Sequence, residues 1–146
     1  MENDVLLKVQ NLVVHYETHN AVVEAVNNVS FEIRSGQTLG LVGETGAGKT
    51  TIALAIMSLL PKYTGKVIQG SIEFDGRDLR QLSPKEMRSI RGHDISMIFQ
   101  DPMSSLNPVL PVDEQISELI RLHRRCSRAK AAIEAREILK KVGIQP

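Results

Sequence analysis

The sequence predicts an α/β fold in which strands lead, helices follow, and a glycine-rich turn joins a strand to a helix. Three observations carry this. Short segments of alternating polarity fill the N-terminal part. An unbroken apolar run, "TLGLV", leads into "GETGAGKTT" and then into the apolar "TIALAIMSLL". Beyond about residue 110, apolar residues recur at helical rather than strand spacing.

Taken in order, Val5, Leu7 and Val9 alternate with Leu6, Lys8 and Gln10, a strand period with a partly polar second face. Val29, Phe31 and Ile33 alternate with Ser30, Glu32 and Arg34, and "SGQ" turns the chain afterwards. "TLGLV" and "ISMIF" are short apolar runs of the kind expected in strands buried on both faces. "TIALAIMSLL" is apolar nearly all round and suits an enclosed helix, with Pro61 and Gly65 as breakers beyond it. "GSIEFDG" predicts a strand closed by an Asp-Gly turn. Ser83-Pro84-Lys85-Glu86 has the form of a capping box with proline first in the helix. In the tail, Val112, Ile116, Leu119 and Ile120 share one helical face, and Ala131, Ala135, Ile138, Leu139 and Val142 share another. Lys140, Lys141 and Gly143 predict the end of that last helix.

The 146 residues suit one domain or part of one, with 42% apolar and 24% charged residues. Lys and Arg (18) nearly balance Asp and Glu (17), so a net charge of +1 gives no field to gather nucleic acid or an anionic membrane. A single cysteine, Cys126, excludes an internal disulfide and fits a reducing compartment. The acidic start and the absence of a long apolar stretch predict a cytoplasmic chain without direct membrane insertion.

Gly43-x-x-x-x-Gly48-Lys49-Thr50 matches the P-loop pattern in full. Its glycines allow successive backbone N–H groups to converge on an anion, where a Cβ would block the turn or the approach. Glu44, Thr45, Gly46 and Ala47 complete the loop, and the helix start near Gly48 adds unpaired N–H groups and a positive dipole end. Lys49 supplies a charge for β- and γ-phosphates, the Thr50 hydroxyl a ligand for Mg²⁺, and Thr51 a group in reach of an α-phosphate. A nucleotide polyphosphate is the expected ligand. Tyr16, at the end of the first strand, suits either stacking on a base or ordinary packing. Gln100 ends "ISMIF", where strands of open α/β sheets deliver functional groups.

In order and spacing, "LKVQNLVVHY", "VNNVSFEIRSGQTLGLVGETGAGKTT", "GSIEFDGRDL" and "ISMIFQDPMSSLNP" resemble the ATP-binding subunits of ABC transporters. "FQDPMSSLNP" is most similar to the branch serving oligopeptide and dipeptide importers. The resemblance implies a P-loop NTPase of ABC type, here its N-terminal part. That part comprises an antiparallel β subdomain and P-loop core over about residues 1–100, with the Q-loop and the start of the helical subdomain over about 101–146. It implies that Tyr16 stacks on adenine, that Gly43 to Thr51 is the Walker A loop, and that Gln100 contacts Mg²⁺ and the attacking water. Residues from about Met103 to Gln115 would lie near a membrane permease. ATP and Mg²⁺ are the implied cofactors. Implied partners are permease subunits and a second ATP-binding subunit, identical or different, with the protein peripheral on the inner membrane face.

The chain departs from the family pattern in carrying no "LSGGQ"-like signature and no apolar run ending in Asp-Glu after such a signature. His15, His19, His93 and His123 all precede the place of the family's switch histidine. The chain is therefore expected to be an N-terminal fragment with an incomplete sheet. It should be poorly soluble or partly molten alone, and able to hold nucleotide without turnover. The alternatives are a non-catalytic fragment, an importer subunit for nickel or another small solute, and another P-loop class such as a GTPase, which lacks support in the absence of an Asn-Lys-x-Asp motif. "RLHRRCSRAK" is basic but has no interleaved aromatics, so it fits a solvated helix face rather than a nucleic-acid surface. His15 and His19 straddle a strand end and a loop, a poor metal pair.

Overall fold

The computed structural model describes residues 5–101 and 105–144. Packing divides these into two units, one running to Arg91 and the other beginning at Gly92.

The first unit is built on an antiparallel sheet in the order β2-β1-β3-β4, from β1 (Val5–Glu17), β2 (Val22–Arg34), β3 (Gly65–Phe74) and β4 (Arg77–Asp78). The alternation along β1 changes phase partway. Val9 is buried, and so are Leu12 and Val14. The cause is a bulge at Asn11, whose φ of 48° inserts one extra residue against both β2 and β3. The Asn11 N–H donates to Ser30 Oγ at 2.8 Å, which satisfies the amide that the bulge removes from the ladder. Across the bulge, Gly70 has φ 95°, and a Cβ there would lie 2.4 Å from Gln10 O and 2.6 Å from Asn11 O. Only glycine lets β3 follow this bend. Asn28, with φ 52°, marks the corresponding phase change in β2.

Ile72 and Phe74 of β3 join Val9, Leu12, Val14 and Val26 in the core. Each such burial contributes about 1.5–3 kcal/mol. Asp75 (φ 48°) and Gly76 (φ 70°) form the two-residue turn into β4 that the Asp-Gly pair predicts. A single 3-10 turn, Leu79–Gln81, follows, and its cap is Asp78, which accepts from Arg80 N at 3.0 Å.

Helix α1 (Lys49–Ile56) packs against β1 and β2 and buries Thr51, Ile52 and Ala55. It stops sooner than the apolar run suggests. Ser58 takes φ 50°, and bonds from Ser58 N to Ala55 O and Leu59 N to Leu54 O close the end. Helix α2 (Pro84–Ile90) carries the expected capping box. Ser83 N donates to Glu86 Oε2 at 2.8 Å, and Glu86 N donates to Ser83 Oγ at 3.4 Å. The Ser83 hydroxyl, and then its backbone N–H, hold the Glu86 carboxyl below its ordinary range.

The second unit contains α3 (Val112–Arg124) and α4 (Arg128–Lys141), packed on each other. Ala131, Ala135 and Leu139 are buried as the spacing predicts, whereas Ile138 and Val142 are exposed. On α3 the expected face is covered only in part: Ile116 and Ile120 are half-buried, Val112 and Leu119 are exposed, and Ser117 is buried. Small residues there allow close approach, and the Ser117 hydroxyl donates to Asp113 O at 2.6 Å, so its burial leaves no open bond. Gly143, at φ 82°, ends α4 with a bond from Ile144 N to Leu139 O.

The two expected buried strands do not form. "TLGLV" is irregular, and Val42 is 98% exposed. "ISMIF" is also irregular, with Ile98 91% exposed. A strand buried on both faces is stabilised by flanking strands and covering helices. Among the described residues no strand lies beside either run.

Two outcomes follow for this chain. Ile98→Lys should change denaturant stability by less than about 0.5 kcal/mol and raise soluble yield, whereas Ile72→Ala should cost about 2–5 kcal/mol. Equal, large losses from both would show that Ile98 is packed. For α2, a group with a lowered folded pKa stabilises above its unfolded value. The Glu86 contribution should therefore be present at neutral pH and fade as pH falls through the lowered value. An NMR titration of Ser83→Ala should show the Glu86 midpoint moving up toward the ordinary range, and an unmoved midpoint would remove the cap as its cause.

Candidate functional site

The glycine loop leaves the irregular run at Gly43 and enters α1 at Lys49. Its tightest point is Gly48, the helix N-cap, at φ 81° and ψ 2°. A Cβ on Gly48 would lie 2.2 Å from the Ala25 carbonyl oxygen in β2. No side chain caps α1, and its first turn holds no acidic residue. The leading N–H groups of the helix therefore have no side-chain acceptor and their positive end is not neutralised. At the loop's other end a Cβ on Gly43 would meet Ala47 Cβ at 3.1 Å, and Ala47 N donates to Glu44 O at 3.1 Å, so the loop is a closed turn. Gly46 has φ 85° and open space around it.

Lys49 reaches back across this turn. Its Nζ donates to Gly43 O at 2.6 Å and to Glu44 O at 2.7 Å. An ammonium has three donors, so these bonds aim the charge and leave one proton for a ligand. The hydroxyl-bearing Thr50 is exposed beside it, and Glu44 and Thr45 are exposed on the loop. The donor set fits a polyphosphate with a hard cation: uncapped amides, one oriented ammonium, and an accessible hydroxyl.

Tyr16 lies in β1, opposite Val23 of β2 and Gly65 of β3. Its ring edge occupies the space a Cβ on Gly65 would need, with Tyr16 Cε1 3.1 Å from that position. Its hydroxyl donates to Thr51 Oγ1 at 3.4 Å. The structure thus brings Tyr16 to the first turn of α1, a contact the spacing alone did not reveal. The available signal was a threonine within an otherwise apolar helical run. Gln100 lies in an exposed bend of the second unit, beyond the irregular "ISMIF". Of the Met103–Gln115 segment, residues 103 and 104 lie outside the described residues, and so does Pro102. The remainder is held by Gln115, whose Nε2 donates to Asn107 O and Leu110 O while its Oε1 accepts from Asn107 N.

Gly46→Ala and Gly48→Ala should separate strain from collision. The first has room and should cost about 1–2 kcal/mol for the left-handed backbone. The second adds the clash with Ala25 O, should cost more, and should move the α1 start in an NMR amide spectrum. Equal losses would refute the close approach.

A sequence profile of the ABC transporter family matches residues 26–146. The chain is 48% identical over 141 residues to a probable peptide ABC transporter ATP-binding protein of Sinorhizobium fredii, covering 97% of this chain and 42% of that protein. It is 49% identical over 139 residues to a dipeptide transport ATP-binding protein of Bacillus subtilis, covering 95% and 42%. The chain thus spans 42% of the length of these curated relatives. In fold it is similar to a dimeric ATP-binding cassette solved with ADP and phosphate, at a TM-score of 0.75 and 24% identity, over 92% of this chain and 56% of that one. Loop geometry, family profile and fold agree: the chain belongs to the ABC transporter family.

Proposed function

We propose that these residues bind ATP with Mg²⁺ as part of the ATPase subunit that powers an ABC importer for peptides. The single observation that carries the reading is the uncapped start of α1, faced by the oriented Lys49 ammonium. The names of the relatives at 48% and 49% identity support the peptide class.

In this reading the amides of Gly46 and of Gly48 to Thr51 bind phosphate oxygens, Lys49 spans loop and β/γ-phosphates, and Thr50 Oγ1 would hold the metal. Mg²⁺, held through Thr50 when bound, would supply positive charge against the transferring group. Tyr16 supports the adenine side, and Gln100 would contact the metal and orient the attacking water. The permease docks near residues 103–115, and a second ATP-binding subunit, like or unlike this one, completes the working pair. No helix among the described residues is long and apolar enough to cross a membrane. The permease is accordingly the proposed tether to the inner face of the membrane.

A second reading, nucleotide binding without turnover by these 146 residues, is favoured because the one Asp-Glu pair in the sequence, Asp113-Glu114, lies in the first turn of α3 rather than at the end of a strand that could present a general base. The whole subunit would then supply hydrolysis.

Calorimetry of Mg–ATP binding tests the first reading. Lys49→Ala should weaken binding roughly 10- to 100-fold, the range for a charge-assisted bond, and ATP should be preferred to GTP. Wild-type affinity in the variant, or preference for GTP, would overturn it. Phosphate release by the purified chain should not exceed that of Lys49→Ala, and turnover abolished by the substitution would sink the second reading.

A further inference from the structure

Thr51 is an anomaly on α1. It sits on the covered face with Ile52 and Ala55, at 9% exposure, yet it carries a hydroxyl. A buried helical threonine commonly satisfies its proton on the carbonyl four residues back. Here Thr51 Oγ1 instead accepts from the Tyr16 hydroxyl, and among the described residues it donates to no protein oxygen. Tyr16 is itself held by β1 pairing on both sides, with its ring edge against Gly65. A threonine hydroxyl has one proton and two lone pairs. Once a lone pair is engaged by the phenol, the proton is left for another acceptor, and a chain of hydroxyls polarises its last donor.

We propose that Tyr16 is a positioning residue for the phosphate loop: its hydroxyl, donating to Thr51 Oγ1, sets the Thr51 proton as a donor to a bound phosphate oxygen. This rests on the phosphate-loop reading above and adds to it a role for Tyr16 that is independent of the base. Stacking uses the ring face and is indifferent to the hydroxyl, whereas this role uses the hydroxyl and is indifferent to adenine. The same contact ties β1 to the first turn of α1, so the strand that carries the aromatic also fixes the loop's exit.

The experiment measures Mg–ATP and Mg–tripolyphosphate binding by calorimetry in wild type, Tyr16→Phe, Thr51→Val, the double variant, and Thr51→Ser with and without Tyr16→Phe. Circular dichroism checks that each is folded. Tyr16→Phe keeps the ring and should weaken both ligands about fivefold, the scale of one hydrogen bond. It should add nothing once Thr51→Val is present. Thr51→Ser keeps the hydroxyl and should retain the full sensitivity to Tyr16→Phe, whereas a merely structural contact would lower the melting temperature in Tyr16→Phe and leave the affinity of the folded protein unchanged. Unchanged affinity in Tyr16→Phe, a loss confined to ATP, or losses that multiply in the double variant would each overturn the proposal. If wild type binds neither ligand, the phosphate-loop reading itself fails and takes this one with it.

Discussion

Helix α1 starts where it does because nothing larger than hydrogen fits between Gly48 and the Ala25 carbonyl. That single approach presses the helix onto β2, forces the left-handed cap, and leaves no side chain at the N-terminus to occupy its amides. The other features of the site depend on it. Lys49 can fold back onto Gly43 and Glu44 because the loop is pinned at its exit. Thr51 meets Tyr16 because the helix lies against β1. A side chain on Gly48 would lift the helix and disperse the donors proposed to bind phosphate.

The sheet serves the same end by less obvious means. Long strands twist, and a strict alternation would carry apolar side chains off the core face. The bulges at Asn11 and Asn28 reset the phase, so that β1 buries Val9 and then Leu12 and Val14. Tyr16 follows that reset, two residues beyond Val14. Its reach toward α1 is thus set by a bulge several residues away, and by the glycine at position 70 that makes room for it.

Much of this was legible in the residues, and what was not has a common cause. The loop, the Asp75-Gly76 turn, the Ser83–Glu86 box and the Gly143 helix end are local: each is decided by which side chains can adopt a given backbone or cap a neighbouring amide. The bulges have asparagine in left-handed conformation but no periodic signal, since alternation on either side of Asn11 looks regular. Composition alone gives "TLGLV" and "ISMIF" the look of buried strands, yet burial is a property of neighbours distant in sequence. Those neighbours are not among the described residues, and the apolar side chains stand exposed. On α3, Ser117 takes the covered position because closeness to α4 outweighs hydropathy. At the site, the motif revealed the donors but not the Tyr16–Thr51 contact, which joins residues far apart in the chain.

The central claim is that the amides at the mouth of α1 form the ligand-binding surface. Its most direct test is an amide NMR titration of the chain with Mg–tripolyphosphate, which has no base or sugar to bind elsewhere. The expected result is large, saturable shifts confined to Gly46 through Thr51 and their immediate strand neighbours. A spectrum that leaves those amides unmoved, or that moves the α3–α4 pair instead, would contradict it.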